Sequence, residues 1–141
     1  MKFQSIKDVL EEATRLRERL EAVFSPKTAF GNSPSTIPSS GHCAAVSAIV
    51  FSQYGGSFVS AKVDEHSHWF NRLKVGGRWI DLDITGDQFG RPSIQAGPQG
   101  SLYKGSRVRR PSELNDETRR RAATLARKAG IRDLHPERLC A

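Results

Sequence analysis

The chain has few of the residues that stabilise small secreted domains or anchor proteins in membranes. Its 141 residues include two cysteines, Cys43 and Cys140. Two cysteines do not make a disulfide framework, which fits a reducing compartment, and we assign Cys140 no role. There is no run of about 18 apolar residues, so no transmembrane helix is expected. The segment Met1–Phe24 lacks the apolar centre of a signal peptide. We therefore expect a cytoplasmic protein with no membrane partner.

Acidic residues are also scarce relative to basic ones. The chain has 22 Lys and Arg residues against 15 Asp and Glu, a net charge of +7, and the excess lies in Lys104–Arg138. No aromatic residue interleaves with these arginines, as a single-strand nucleic-acid platform would require. Nucleic acid is therefore not an expected partner. We interpret the run as a solvated helical surface that could bind an acidic protein.

The length is that of one domain with a modest core. We predict a single domain over 1–141, with an N-terminal helix at about 4–24, a catalytic core at about 25–90, and a basic C-terminal loop and helix at about 91–141. The first helix carries apolar residues at three- and four-residue spacing: Ile6, Val9, Leu10, Ala13, Leu16, Leu20 and Val23.

The remaining patterns predict a second helix, a group of strands and a last helix. A loop over 25–40 leads to a helix at 43–53 that is apolar nearly all round and is therefore expected to be buried. Strand-like runs follow at 57–63, 66–73 and 78–84, then a loop at 87–104 and a helix that begins with Ser112 or Asn115 as N-cap and ends near Ala129. The order indicates an α+β fold in which the buried helix packs on a small antiparallel sheet, with helices flanking it on the N- and C-terminal sides.

Cys43 lies where a Gly-bearing turn meets the buried helix, within Ser39–Val50. A thiol at a helix N-terminus faces unpaired backbone N–H groups and the positive end of the helix dipole, which favour the thiolate. This position is typical of a nucleophile. The alternative is that Cys43 is a small apolar residue in the core, as buried free cysteines often are.

A cysteine nucleophile needs a base, and the base needs a group that orients it. His68 opens one predicted strand, and Asp81 and Asp83 lie on the next. In a hairpin the start of one strand lies beside the end of the other, and residues two apart share a face. Either carboxylate could therefore hold the imidazole. Each residue also has a structural interpretation, as a satisfied core histidine or a hairpin brace.

Several short sequence motifs resemble those of the bacterial YunG-like family and, more broadly, of the papain-like fold shared by cysteine peptidases, transglutaminases and NlpC-type peptidases. They are Thr28-Ala29, Gly41-His42-Cys43-Ala44-Ala45-Val46, Gly55-Gly56, His68 with Asn71-Arg72-Leu73, and Asp83-Ile84-Thr85-Gly86-Asp87-Gln88-Phe89, in that order. The resemblance implies a papain-like core in which the cysteine begins a helix, the histidine begins a strand and a polar partner follows on the next strand.

The chain departs from the family pattern in two places. His42 stands where the family usually has Gln, and Trp69-Phe70 stand where it has an aromatic residue and then Trp. The hairpin is also longer than usual, which leaves Asp81 and Asp83 both open as the third member. Asp83 is favoured because its spacing from the Asp87-Gln88-Phe89 motif fits the family pattern.

Further candidates are residues that could stabilise an oxyanion or contact substrate. The backbone N–H of Cys43 is the first oxyanion donor, and the second is left open. The candidates for the second oxyanion donor are the side chains of Asn32, Ser39, Ser40 and His42. Trp69 or Trp79 could form a wall of the cleft, although both are expected mainly in the core. Asn71 and Gln88 could contact substrate or hold loops through backbone hydrogen bonds.

The sequence thus predicts a cysteine-dependent acyl hydrolase or transferase without a cofactor, acting on an amide, peptide, isopeptide or thioester bond. One alternative is a papain-like binding module that has lost activity. Another is a metal site made by His66 and His68 with Cys43 or His42, although their spacing matches no strong zinc signature.

Overall fold

The structure, a computed structural model, describes residues 3–32 and 37–131. Within them, three helices and five strands form an α+β fold, and the strands make one antiparallel sheet in the order β4-β3-β2-β1-β5. The predicted α+β class with an antiparallel sheet is therefore confirmed. The elements are α1 (Ile6–Glu21), α2 (Cys43–Tyr54), β1 (Ser57–Val63), β2 (His66–Val75), β3 (Arg78–Asp83), β4 (Gln95–Pro98), β5 (Arg107–Arg109) and α3 (Asp116–Lys128).

The helices begin where the local chemistry favours a start. The Ser5 side chain accepts the Asp8 N–H at the start of α1, and of the two candidates for α3 it is Asn115 that accepts, from Thr118 N at 2.7 Å. Each side chain satisfies one backbone donor that has no partner within the helix. None of the helices in the described part of the chain is long and apolar enough to cross a membrane.

Two tight hairpins fix the register of the central strands. The loop between β1 and β2 is Asp64-Glu65, both at positive φ, and the loop between β2 and β3 is Gly76-Gly77, with φ of 54° and 81°. Two-residue loops with positive φ at both positions match the right-handed twist of the strands. The pairing of β2 with β3 ends at Asn71 and Leu82, so the first half of β2 extends past the end of β3.

Successive residues of the strands feed two separate apolar clusters, one on each face of the sheet. Phe58 and Leu73 belong to the main core, together with buried residues of all three helices. Val59 and Phe70 belong to a smaller cluster on the opposite face, which Tyr103 covers. Helix α2 is held on the first face by a buried hydrogen bond from Asn71 Nδ2 to the Ser47 carbonyl, 3.0 Å long.

The structure corrects the sequence predictions at two places. The predicted loop at 87–104 contains β4, and β5 follows it, because both short segments pair with the edges of the sheet. Trp79, expected mainly in the core, is 43% exposed, because it lies near the hairpin turn where Lys74 is its cross-strand neighbour. Cys140 lies outside the described residues.

A buried ion pair connects α1 to the loop that follows β3. Arg17 is 4% exposed; its guanidinium donates to the Ile84 carbonyl at 2.7 Å and binds Asp87 through two contacts of 2.9 Å. Ser39 Oγ donates to the same Asp87 carboxylate at 2.5 Å. The Asp87 carboxylate, in the loop that follows β3, therefore binds both Arg17 of α1 and Ser39 of the segment before α2.

Removing that carboxylate should be costly, because it leaves a buried guanidinium short of its partner. We expect Asp87→Ala to lower the free energy of unfolding by about 3 kcal/mol, and Glu21→Ala, whose side chain is 47% exposed, by less than about 1 kcal/mol. Urea unfolding at pH 7 measures both values. Equal losses in the two variants would contradict the assignment of Asp87 as the fastening residue.

The same pair predicts a pH dependence. Burial raises the pKa of Asp87, but the hydrogen bonds from Arg17 and Ser39 lower it more, so the net pKa is below its ordinary value. The stability that Asp87 contributes is complete above the unfolded pKa of about 3.9 and is lost as the pH falls through the lower folded value. The difference between wild type and Asp87→Ala should therefore shrink in that acid range.

Candidate active site

Cys43 is the first residue of α2 and borders a cleft of about 650 Å³. It is a free thiol of intermediate exposure. The turn before it needs a glycine: Gly41 has φ of 77°, and a Cβ there would lie 3.0 Å from both Ala29 Cβ and Phe30 N. The Phe30 N–H donates to the Gly41 carbonyl at 2.8 Å. The close approach of these two segments sets the position at which α2 begins.

His42 does not reach the cleft, which corrects its prediction as an oxyanion or substrate contact. Its ring is 2% exposed and lies 4.2 Å from the Phe24 ring, centroid to centroid. Nδ1 is 2.9 Å from the Ser40 carbonyl, so Nδ1 carries the proton, and Nε2 accepts from Thr28 Oγ1 at 2.7 Å. Both nitrogens are therefore committed to holding the turn.

His68 and Asp83 form a buried pair at the end of β3. His68 Nε2 lies 2.9 Å from Asp83 Oδ2, and the two side chains are 0% and 1% exposed. The carboxylate is well satisfied, because Oδ1 accepts from Thr85 N at 3.0 Å and from Thr85 Oγ1 at 3.2 Å, and Oδ2 accepts from the Tyr103 hydroxyl and from Gln95 at 3.4 Å. This network fixes the orientation of the imidazole.

Asp81, the alternative third member, is engaged elsewhere. Its carboxylate binds Arg72 Nε at 2.6 Å and Nη2 at 3.2 Å, and it accepts the Gly100 N–H at 2.9 Å. Asp81 and Asp83 do share a face of β3, but cross-strand pairing places Arg72 opposite Asp81. Of the two carboxylates, Asp83 is therefore the one that contacts His68.

The pKa of His68 reflects its two neighbours. Burial alone lowers the pKa, but the hydrogen bond with Asp83 and the interaction with Cys43 outweigh it and raise the pKa to about 9. Nδ1 is buried and makes no well-aligned hydrogen bond. Because Nε2 is held by Asp83, Nδ1 is the nitrogen left for Cys43; such contacts are often long before substrate binds.

Aromatic rings enclose the imidazole on several sides. The rings of Phe89, Tyr103 and Phe70 lie at centroid distances of 4.8, 5.0 and 5.9 Å from His68. They keep water from the imidazole and weaken dielectric screening, so the charges in this cluster interact more strongly than they would in water.

The other predicted site residues divide between the cleft and the interior. Ser40, Trp69 and Gln88 border the cleft with Cys43. Asn71 does not: its side chain is 2% exposed and binds Ser47 on α2, which corrects its prediction as a substrate contact. Ser39 is buried against Asp87. Asn32 lies in a short 3-10 turn, Phe30–Asn32, and its side chain is outside the described part of the structure.

Sequence reasoning missed two residues of the site. Tyr103 donates to Asp83 and contacts the His68 ring edge-on, and Arg121 of α3 borders the cleft. Tyr103 lies in a segment of irregular structure, where no periodicity marks a buried residue. Arg121 is one of three consecutive arginines, and a helical period would have placed it on the face of Leu125, four residues on.

The predicted alternative of a metal site is not supported. His42 is engaged by Thr28 and Ser40, and in residues 3–32 and 37–131 no three His, Cys, Asp or Glu side chains form a group that could hold a metal ion.

These features define an α+β protein in which a Cys, a His and an Asp meet beside a cleft. The family model described as YunG protein matches residues 12–131, so the chain belongs to the YunG family, as its sequence motifs predicted. The match includes Cys43, His68 and Asp83. No curated protein and no solved structure gives a match.

The charge state of His68 can be measured directly. With histidine side chains labelled for NMR and the His68 signal assigned from His68→Gln, we expect a titration midpoint at about pH 9. Asp83→Asn should lower the midpoint, because it removes the carboxylate that stabilises the imidazolium. A wild-type midpoint at the ordinary value of 6.5, or one that Asp83→Asn leaves unchanged, would contradict the assignment.

Proposed function

We propose that the protein is a cysteine-dependent acyl hydrolase or transferase that acts on an amide, peptide, isopeptide or thioester carbonyl. Cys43 is the nucleophile, His68 transfers protons and Asp83 orients His68. The observation that carries the proposal is the buried His68–Asp83 pair, which engages Nε2 and leaves Nδ1 without a partner, in a histidine close enough to Cys43 for the two side chains to interact. The order of Cys on a helix start, His on a strand and Asp on the next strand also agrees with a papain-like site.

The proposed reaction has two halves. The Cys43 thiolate attacks the carbonyl carbon, the C–S bond forms, and the carbonyl oxygen becomes an oxyanion. When the bond to the leaving amine breaks, the imidazolium of His68 gives that amine a proton. Water or another nucleophile then attacks the carbonyl carbon of the Cys43 thioester and gives its proton to His68; the C–S bond breaks, which releases the acid or transfer product and restores the Cys43 thiolate. Because His68 is protonated below about pH 9, the acid needed by the leaving amine is present at neutral pH.

The oxyanion would be held by two donors. One is the backbone N–H of Cys43, which as the first residue of α2 has no acceptor within the helix. For the other we propose Gln88 Nε2, which is buried, has no hydrogen-bond partner and belongs to a residue that borders the cleft. A buried amide without a partner is costly, so a group that completes its hydrogen bond on substrate binding would relieve that cost.

Alkylation of Cys43 tests the nucleophile without a known substrate. In a Cys140→Ser background, iodoacetamide should label Cys43 rapidly well below pH 8, because a neighbouring imidazolium stabilises the thiolate. His68→Gln should slow labelling at pH 6.5 by about tenfold or more. The readout is the pseudo-first-order rate from pH 5 to 10, measured by mass spectrometry.

The matched control is His66→Gln, two residues earlier on β2. His66 also borders the cleft, but it is solvent-exposed, so the variant should leave the profile unchanged. Labelling that requires unfolding, or that has one profile in wild type and His68→Gln, would exclude the proposed Cys–His pair. That result would favour a binding module with the same fold.

The role of Gln88 can be separated from that of the nucleophile. Gln88→Ala should lower the rate of Cys43 acylation by p-nitrophenyl acetate by about 10²-fold, because one oxyanion donor is lost. Alkylation by iodoacetamide forms no oxyanion, so its rate should not change. Equal effects on both reactions, or no effect on acylation, would show that Gln88 is not the donor.

A further inference from the structure

Among the described residues that border the cleft, Arg121 is the one arginine. It lies on α3, and its side chain is 9% exposed. Nη2 donates to Thr118 Oγ1 at 3.0 Å, and the guanidinium carbon is 5.7 Å from the centre of the Phe30 ring. Helix α3 thus supplies a rigid, nearly buried cation to the same cavity as Cys43.

The hydrogen-bonding capacity of this guanidinium is incompletely used. Nε is buried and has no hydrogen-bond partner. Nη1 lies 2.8 Å from Glu117 Oε1 but makes no well-aligned hydrogen bond there, and that carboxylate side chain is 63% exposed. A solvated carboxylate compensates a buried charge weakly. Arg121 therefore has both charge and a donor available for a ligand.

The charge of Arg121 extends to the start of α2. Burial lowers the pKa of His42, and the charge of Arg121 adds to that decrease, against the opposing effect of the backbone hydrogen bonds with Ser40 and Ser39. His42 is the residue directly before Cys43. An anion in the cleft would therefore be attracted on the side where the proposed nucleophile lies.

We propose that Arg121 is a specificity-determining residue that binds a carboxylate of the substrate. The inference rests on the proposed function and narrows the substrate class to small amide or thioester compounds, or short peptides, that carry a carboxylate away from the reacting carbonyl. A cleft of about 650 Å³ has the size typical of sites for such molecules.

A carboxylate fits this site better than a phosphate. The planar guanidinium can bind either group through two parallel hydrogen bonds. Glu113 also borders the cleft, where it is paired with Arg109, and Glu117 is paired with Arg121. Both carboxylates still repel a dianion more strongly than a monoanion, which favours a singly charged ligand.

Reactive probes of graded length test the proposal. N-(iodoacetyl)glycine, N-(iodoacetyl)-β-alanine and 4-(iodoacetamido)butyrate place a carboxylate at increasing distance from the carbon that Cys43 attacks with loss of iodide. Each is compared with its neutral carboxamide analogue at pH 7 in the Cys140→Ser background. The quantity measured is the ratio of the two alkylation rates for each length.

For at least one length we expect the carboxylate to react about tenfold faster than the carboxamide, as one charge-assisted hydrogen bond would give. Arg121→Gln should reduce this ratio to below about two, since the donor and its charge are lost. Arg120→Gln is the matched control: it removes the same charge from the neighbouring, exposed position and should keep the ratio.

A ratio near one at every length in the wild type, or a high ratio that persists in Arg121→Gln, overturns the proposal. If Arg121→Gln does not fold, Arg121→Lys replaces it; lysine keeps the charge without the planar fork, and an unchanged ratio would again count against Arg121. The rates of the carboxamide probes report separately on Cys43. If Cys43 is not an activated nucleophile, the carboxylate and carboxamide probes both react slowly. If only the role of Arg121 is wrong, both probes react rapidly and the ratio of their rates is near one or does not depend on Arg121.

Discussion

Asp83 is a charged group placed where water does not reach, and the structure around it follows from that. Leaving a carboxylate buried without partners costs several kcal/mol, so each oxygen must be matched by donors. The donors come from three directions: Thr85 turns the chain back on Asp83 and ends β3, Gln95 and Tyr103 come from the segment that contains and follows β4, and His68 comes from β2. One carboxylate thus closes the end of the sheet and orients the imidazole.

The candidate site lies where the two apolar layers of the protein meet. Helix α2, which begins with Cys43, belongs to the main core on one face of the sheet, whereas His68 stacks among the aromatic residues of the opposite face. They come together because β2 extends past the last β3 pair, at Asn71 and Leu82. The pairing with β2 ends just before Asp83, and the same Asp83 anchors the histidine.

The sequence indicates these elements well where one local rule suffices. The apolar spacing of α1, the glycines of the second hairpin and the position of Cys43 before an apolar helix each depend on nearby residues. Properties that depend on residues distant in sequence could not be predicted. Asp81 and Asp83 lie on the same face of β3, so the pattern alone does not distinguish them; Asp81 is engaged because Arg72, its cross-strand neighbour, binds it. His42 has a catalytic-looking position, but Thr28 engages its ring. Tyr103 comes from irregular chain, where no period predicts burial.

The basic character of the chain combines two kinds of charge that composition cannot separate. Exposed arginines such as Arg120 are solvated and contribute a weak, screened field. Arg17 and Arg121 are nearly buried, and their partners differ: Arg17 is bound on both amino groups by Asp87 and Glu21, so its role is to fasten the fold. Nε has no partner in either arginine, but Arg121 has only a largely solvated carboxylate beside it, its Nη1 makes no well-aligned hydrogen bond, and the residue borders the cleft. Burying a cation costs desolvation free energy unless an anion compensates its charge. In the proposed complex, the carboxylate of the substrate is that anion.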